Sequence, residues 1–213
     1  MKKEVCIVLF MVVSFIANAQ KPFVPDFSHF STESLHQAFP QQANSFMTAE
    51  EQKLVFYMNL LRLEPVVFLN DIVKPYVAFN ELNVNSYVRS LYKDLAKSKS
   101  VSTLRMEQDL YEMAKSHLQD IGTNGLTGHV GSNGQTFKIR AAPLLNKYEL
   151  VSENVGLGFN SPLDNLMGLL IDDGVKGLGH RKAILSPQYN GIGVAIGSHK
   201  EFVYGCVMDF GFL

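Results

Sequence analysis

Gly191-Ile192-Gly193-Val194-Ala195-Ile196-Gly197-Ser198-His199-Lys200-Glu201-Phe202-Val203-Tyr204-Gly205-Cys206-Val207-Met208-Asp209-Phe210 decides the architecture. Ile192, Val194 and Ile196 alternate with small residues, and Phe202, Tyr204, Cys206, Met208 and Phe210 keep the same period of two, the spacing of side chains along a strand. The stretch Gly197-Ser198-His199-Lys200 supplies the turn, so the two runs read as an antiparallel hairpin. Cys206 lies inside this alternation with no basic residue adjoining it, which assigns it to packing rather than thiol chemistry.

Upstream the period changes to that of helices. Thr48-x-x-Glu51 has capping-box form and is followed by Leu54, Val55, Met58 and Leu61 at helical spacing, giving a helix to about Arg62. Pro65 breaks it or opens the next element, and Val66, Leu69 and Val73 continue a stripe until Pro75. Val88, Leu91, Tyr92 and Leu95 form another, and Leu110, Met113, Ala114, His117, Leu118 and Ile121 a fourth that ends at Gly122. Glycine-rich loops from Gly122 to Gly134 come next, then the alternating Val151-x-Glu153-x-Val155-x-Leu157, and then a helix opened by Ser161-Pro162. Helices first and a hairpin last predict a single α+β domain with helices covering the sheet faces; neither an internal repeat nor a second-domain linker is visible.

Composition agrees with one such domain. Of 213 residues, 46% are hydrophobic and 18% charged, which excludes the disordered and low-complexity classes. Nineteen Lys and Arg against 20 Asp and Glu leave no basic footprint, so nucleic acid is not an expected partner. Met1-Lys2-Lys3, the apolar run Val5 to Ile16 and the small-x-small Ala17-Asn18-Ala19 read as a cleaved signal over residues 1–19. The apolar run is shorter than the ~20 residues that cross a bilayer, so no membrane span is expected after cleavage. The product is expected to be secreted or periplasmic. Loss of Cys6 with the signal leaves Cys206 alone, so no internal disulfide forms. Residues 20–47, with three prolines and no periodicity, read as an extended lead-in.

Three residues stand out chemically. Glu153 shares its strand face with Val151, Val155 and Leu157, and a carboxylate on an inward face must find partners: backbone N–H groups or an Arg on one reading, the polar groups of a cavity on the other. His129 follows Gly128 in a glycine-rich loop, and His180 sits in Gly179-His180-Arg181; histidines held by loop geometry are candidates for function. Asp172-Asp173-Gly174 ends a helix, where the dipole is unfavourable to acids unless a cation lies near or solvent screens them. His117 lies on an apolar stripe and is assigned to the core; His29, His36 and His199 fall in polar segments and are given no role. Two histidines and carboxylates form a set able to hold a divalent cation such as zinc, or to do acid–base work; no dinucleotide, phosphate-loop or metalloprotease motif is present.

The order of short motifs resembles the CAP superfamily, also called the SCP domain, of cysteine-rich secretory, antigen-5 and pathogenesis-related proteins. The residues concerned are Asn59-Leu60-Leu61-Arg62, Ala114-Lys115-Ser116-His117-Leu118-Gln119-Asp120, Gly128-His129, Glu153-Asn154-Val155-Gly156, Gly179-His180-Arg181-Lys182-Ala183-Ile184-Leu185, Gly191-Ile192-Gly193-Val194 and Met208-Asp209-Phe210-Gly211. The resemblance runs from about Thr48 to Leu213 and implies a three-layer α-β-α sandwich over residues 48–213, with a helical insertion around 66–99. It implies a cleft lined by His129, Glu153, Asp172 and His180, with His129 and His180 as the metal-ligating pair and Asp172 preferred to Asp173. The lack of mature disulfides, of Trp and of a His-Tyr-Thr-Gln motif points to the bacterial branch. The expected function is a secreted binding module for a divalent cation or small ligand, its partner otherwise an undefined extracellular or envelope component. The alternatives are an ester or peptide hydrolase that uses the same cleft, and an interaction protein with a vestigial cleft.

Overall fold

The structure, a computed structural model, describes residues 22–39, 46–159 and 161–213; the expected signal over 1–19 lies outside them. Elements follow the chain as α1 (Thr32–Ala38), α2 (Ala49–Leu63), α3 (Pro65–Phe68), a π-helical turn (Leu69–Val73), α4 (Lys74–Phe79), α5 (Ser86–Lys97), β1 (Arg105–Met106) and α6 (Gln108–Asn124). Then come α7 (Phe137–Ala141), a 3₁₀ turn (Ala142–Asn146), β2 (Leu150–Leu157), α8 (Pro162–Ile171), α9 (Gly179–Leu185), β3 (Gly191–His199) and β4 (Val203–Phe212).

The four strands are ordered β1-β3-β4-β2. β3 and β4 form the expected hairpin, with the strand running on to His199 and the turn at Lys200–Phe202. β1, too short to show a period, pairs parallel with β3 through Arg105–Gly191 and Met106–Ile192. Residues opposite one another in a ladder point to the same face. Gly193, Asp209 and Glu153 therefore share the face that α6 covers, while Val194, Met208 and Asn154 share the face toward α2, α8 and α9. Helices on both sides of one sheet make the α-β-α sandwich. Gly193 is what allows α6 so close: a Cβ there would overlap the Tyr111 backbone nitrogen.

Helix signals in the sequence hold with instructive shifts. The Thr48 hydroxyl accepts from Glu51 N, and the Glu51 carboxylate accepts from Thr48 N at 2.7 Å, so the capping box is present. Pro75 does not end its helix; the widened π turn before it carries the chain through where a proline lacks its N–H and crowds the preceding carbonyl. The expected stop at Gly122 is corrected to Asn124, because Gly125, at φ 67, takes the left-handed cap while Gly122 is small for a different reason, its contact with the Ser198 carbonyl. Within the lead-in expected to be extended, Thr32–Ala38 is helical, capped by the Ser31 hydroxyl and packed on α2.

Two buried arginines fix α9. Arg62, from α2, donates to the carbonyls of Ser102, Ile184, Ser186 and Tyr189 at 2.8–2.9 Å, so it gathers the C-terminal end of α9. Burial lowers its pKa to about 10, which still leaves it charged at neutral pH. Arg181 donates to Leu170 and Ile171 at the end of α8, and to Ser90, Asp94 and the Tyr87 carbonyl on α5. The helices of segment 66–99 thus brace the base of α9.

Candidate functional site

The structure joins each of the two candidate histidines to one candidate acid. His129 Nδ1 lies 2.8 Å from Glu153 Oε1, and His180 Nδ1 lies 2.7 Å from Asp172 Oδ1. The acids are buried, with side chains 1% and 0% exposed, while the imidazoles are 47% and 21% exposed. A carboxylate beside Nδ1 favours the proton there, so in each neutral imidazole Nε2 carries the lone pair.

The loop that carries His129 is tied down from both ends. Asp120, near the end of α6, accepts from the backbone N and hydroxyl of Ser132, which holds its carboxyl below the usual carboxylate range. Gly131 donates to Gln135, and Arg140 Nη1 donates to the carbonyls of His129 and Gln135. Arg140 Nη2 then reaches both oxygens of Glu153 at 2.8 Å. Of the two readings of Glu153, the match to an arginine is present, and the same carboxylate also orients an exposed imidazole.

His117, assigned from its helical stripe to the core, is buried there, but its Nε2 lies 2.9 Å from the Gly128 carbonyl and 3.8 Å from Glu153 Oε1. Desolvation outweighs the Glu153 charge and lowers its pKa. His199, expected in a polar segment, is corrected to a buried residue: its Nε2 bonds the Leu126 carbonyl and its Nδ1 accepts from Glu201 and Phe202, which shapes the hairpin turn. Cys206 is buried as expected, and desolvation pushes its thiol up.

The paired acids at the end of α8 find an explanation other than a cation. Asp172 turns to φ 58, and its carboxylate accepts from the backbone N–H of His180 at 3.1 Å, besides the imidazole. It thereby caps the start of α9, whose own N-cap, Leu178, has no side chain able to do so. Asp173 instead accepts from Asn85.

The two pairs are linked through consecutive residues of β2. Glu153 points to the α6 face and binds His129; Asn154 points to the opposite face, and its Nδ2 donates to the His180 carbonyl at 3.1 Å. The pairs thus flank one strand from its two sides. Among the described residues no group of three or more His, Cys, Asp or Glu is placed to hold a metal ion. His129 and His180 fit a cation only as two imidazole donors with oriented Nδ1 protons, the other positions falling to water or a ligand.

Sequence reasoning missed Arg140 and gave Asp209 no role. Arg140 sits in a short helix without periodic signal, whereas Asp209 was signalled, since it is an acid inside an apolar strand. Asp209 is 0% exposed, and neither of its oxygens has a partner among the described residues. Desolvation, then the Glu153 charge, holds its carboxyl well above the usual range.

The sequence model of the cysteine-rich secretory protein family, CAP, matches residues 57–210. Comparison with curated proteins finds no match. Among solved structures, similar chains include an extracellular SCP-domain protein of Bacillus anthracis, at 21% identity and TM-score 0.44 over 59% of this chain and 37% of that one. An outer surface protein of Borrelia burgdorferi is similar at 18% identity and TM-score 0.44, over 62% of this chain and 96% of that one. A cysteine-rich secretory protein of Staphylococcus aureus is similar at 19% and 0.41, over 60% and 38%. The matched part thus spans little more than a third of the Bacillus and Staphylococcus chains.

Proposed function

The chain belongs to the CAP family of cysteine-rich secretory proteins, and on that premise we propose that it is an exported binding protein in which His129 and His180 present Nε2 atoms to a divalent cation or a small ligand. Export is read from residues 1–19, and no helix among the described residues is long and apolar enough to cross a membrane. The observation that carries the reading is the pair of Nδ1–carboxylate contacts: each exposed imidazole is oriented by a buried acid, which fixes its tautomer and aims its Nε2 outward as a ligand. A bound cation would supply Lewis acidity; Glu153 and Asp172 would hold the imidazoles and the Nδ1 protons in place.

The hydrolase alternative has less support. Glu153 is committed to Arg140 and His129 rather than free to activate water, and the Ser132 hydroxyl donates to Asp120 rather than to an imidazole. Calorimetric titration with zinc at pH 7.5 and 5.5 tests the binding reading. Metal competes with protons for imidazole, so uptake at the higher pH should weaken at the lower and vanish in His129→Ala/His180→Ala. Equal uptake at both pH values, or uptake unchanged in the double variant, would defeat it.

A further inference from the structure

A sheet has two edges, and this one treats them differently. On the β3 side, β1 pairs with the strand, the Glu51 carboxylate accepts the outward N–H of Ile196 at 2.9 Å, and Lys200 N donates to the Gly122 carbonyl. A short strand and an inward-pointing charge are devices that keep another strand from adding. The β2 edge, last in the strand order, has neither a further strand nor a side chain from another element seated on its outward main chain among the described residues. Gly158 N donates to the Tyr204 carbonyl, and the residues in step with it, Ser152, Asn154 and Gly156, turn their main chain to β4. Val151, Glu153, Val155 and Leu157 therefore turn theirs outward, and no group among the described residues bonds those N–H and C=O groups. Glu153 shows the opening directly: its side chain is 1% exposed but the residue as a whole is 7%, so the remaining access is at the main chain.

We propose that the β2 edge is a docking track for an extended polypeptide segment of a partner protein, which adds as a fifth strand through main-chain bonds to Val151, Glu153, Val155 and Leu157. A row of alternating donors and acceptors, repeating about every 6.6 Å, is matched in full by the backbone of another strand. The track is about 20 Å long, enough for roughly seven residues. Side chains of the added strand alternate between the two sheet faces. One set lies toward the exposed imidazole of His129 and the Arg140 that holds its loop, the other toward the start of α9, where His180 stands. Hydroxyl side chains suit both, because each exposed imidazole, its Nδ1 already held by a carboxylate, presents an accepting Nε2. The inference rests on the β2 backbone and not on the cation reading, so absence of zinc uptake leaves it standing.

The test is selection of displayed heptapeptides on the immobilised protein in EDTA, followed by amide exchange with a synthetic copy of the best binder. In the free protein the amides of Ser152, Asn154 and Gly156 should be protected and the four outward ones should not. The peptide should slow exchange at the outward amides at least about tenfold, and N-methylation at alternate peptide positions should weaken binding by a similar factor while the intervening positions tolerate it. Val155→Pro removes an outward N–H without touching a ladder bond and should abolish binding; the N-methylated peptides, which leave the protein unaltered, cover the case in which the proline disturbs folding. The proposal is overturned if no peptide is selected, if binding leaves the outward amides unprotected, or if it needs added zinc. It is equally overturned if those amides become protected with protein concentration alone, since the occupant is then a second copy.

Discussion

Glu153 and Asp209 stand opposite one another across the β2–β4 ladder, and of these two buried acids only the Glu153 carboxylate has partners among the described residues. Cross-strand neighbours of this kind have Cβ atoms about 5 Å apart, too close for both to be ionised in a desolvated site. Glu153 is matched by Arg140 and His129, and Asp209, desolvated and beside that carboxylate, keeps the proton.

Asp209 therefore imposes a pH dependence of defined sign. Above the unfolded carboxyl value of about 3.9 and below its raised native value, the folded protein binds a proton that the unfolded chain has released, so this residue alone makes stability fall by about 1.4 kcal/mol per pH unit. Asp209→Asn keeps the shape and lacks that slope. Urea denaturation from pH 4 to 7 should show the variant close to wild type at the acid end and progressively more stable toward neutrality; parallel curves would refute the protonated state.

Arg140→Met should leave the Glu153 carboxylate buried with only its histidine contact, at a loss of about 3–5 kcal/mol. Glu153→Gln in the same chain removes the stranded charge and should recover most of that loss. A double-variant cycle by chemical denaturation measures the coupling, and additive losses would show that the two side chains act independently.

Removing the Arg62 guanidinium leaves the carbonyls of Ser102, Ile184, Ser186 and Tyr189 without their donors. Arg62→Met should destabilise by at least about 3 kcal/mol, and Arg62→Lys should recover only part, because an ammonium cannot reproduce the planar fork. Thermal melts give the ranking; a full recovery by lysine would mean that charge, not geometry, matters.

Gly193→Ala should cost about 3 kcal/mol, since the methyl group meets the Tyr111 backbone rather than a movable side chain. Gly179→Ala, with open space around the added Cβ at the start of α9, should lie within about 0.5 kcal/mol of wild type. Denaturant midpoints separate the two, and equal effects would argue against tight α6–sheet contact.

Elements with a strong period or a cap were legible in the sequence: the Thr48–Glu51 box and the Ser161-Pro162 start stand where local pattern put them, and so do the two hairpin strands, although their turn falls later, at Lys200–Phe202. Two-residue β1 and the short helix α1 carry no period long enough to read, and the π turn depends on how Pro75 is packed rather than on the proline itself. His129 and His180 were found because glycines isolate them in loops. Arg140 was not, because its partner Glu153 lies 13 residues away and only the fold brings them together. Asp172 was found for an incomplete reason, since the dipole it opposes in α8 matters less than the helix start it serves in α9.

The Glu51 carboxylate that begins α2 also occupies the β3 edge at Ile196. Growth by strand addition can therefore proceed in one direction only. Any assembly built that way terminates after a single joint instead of propagating into a filament, and Glu51→Ala would remove the stop at the same moment that it frays the helix.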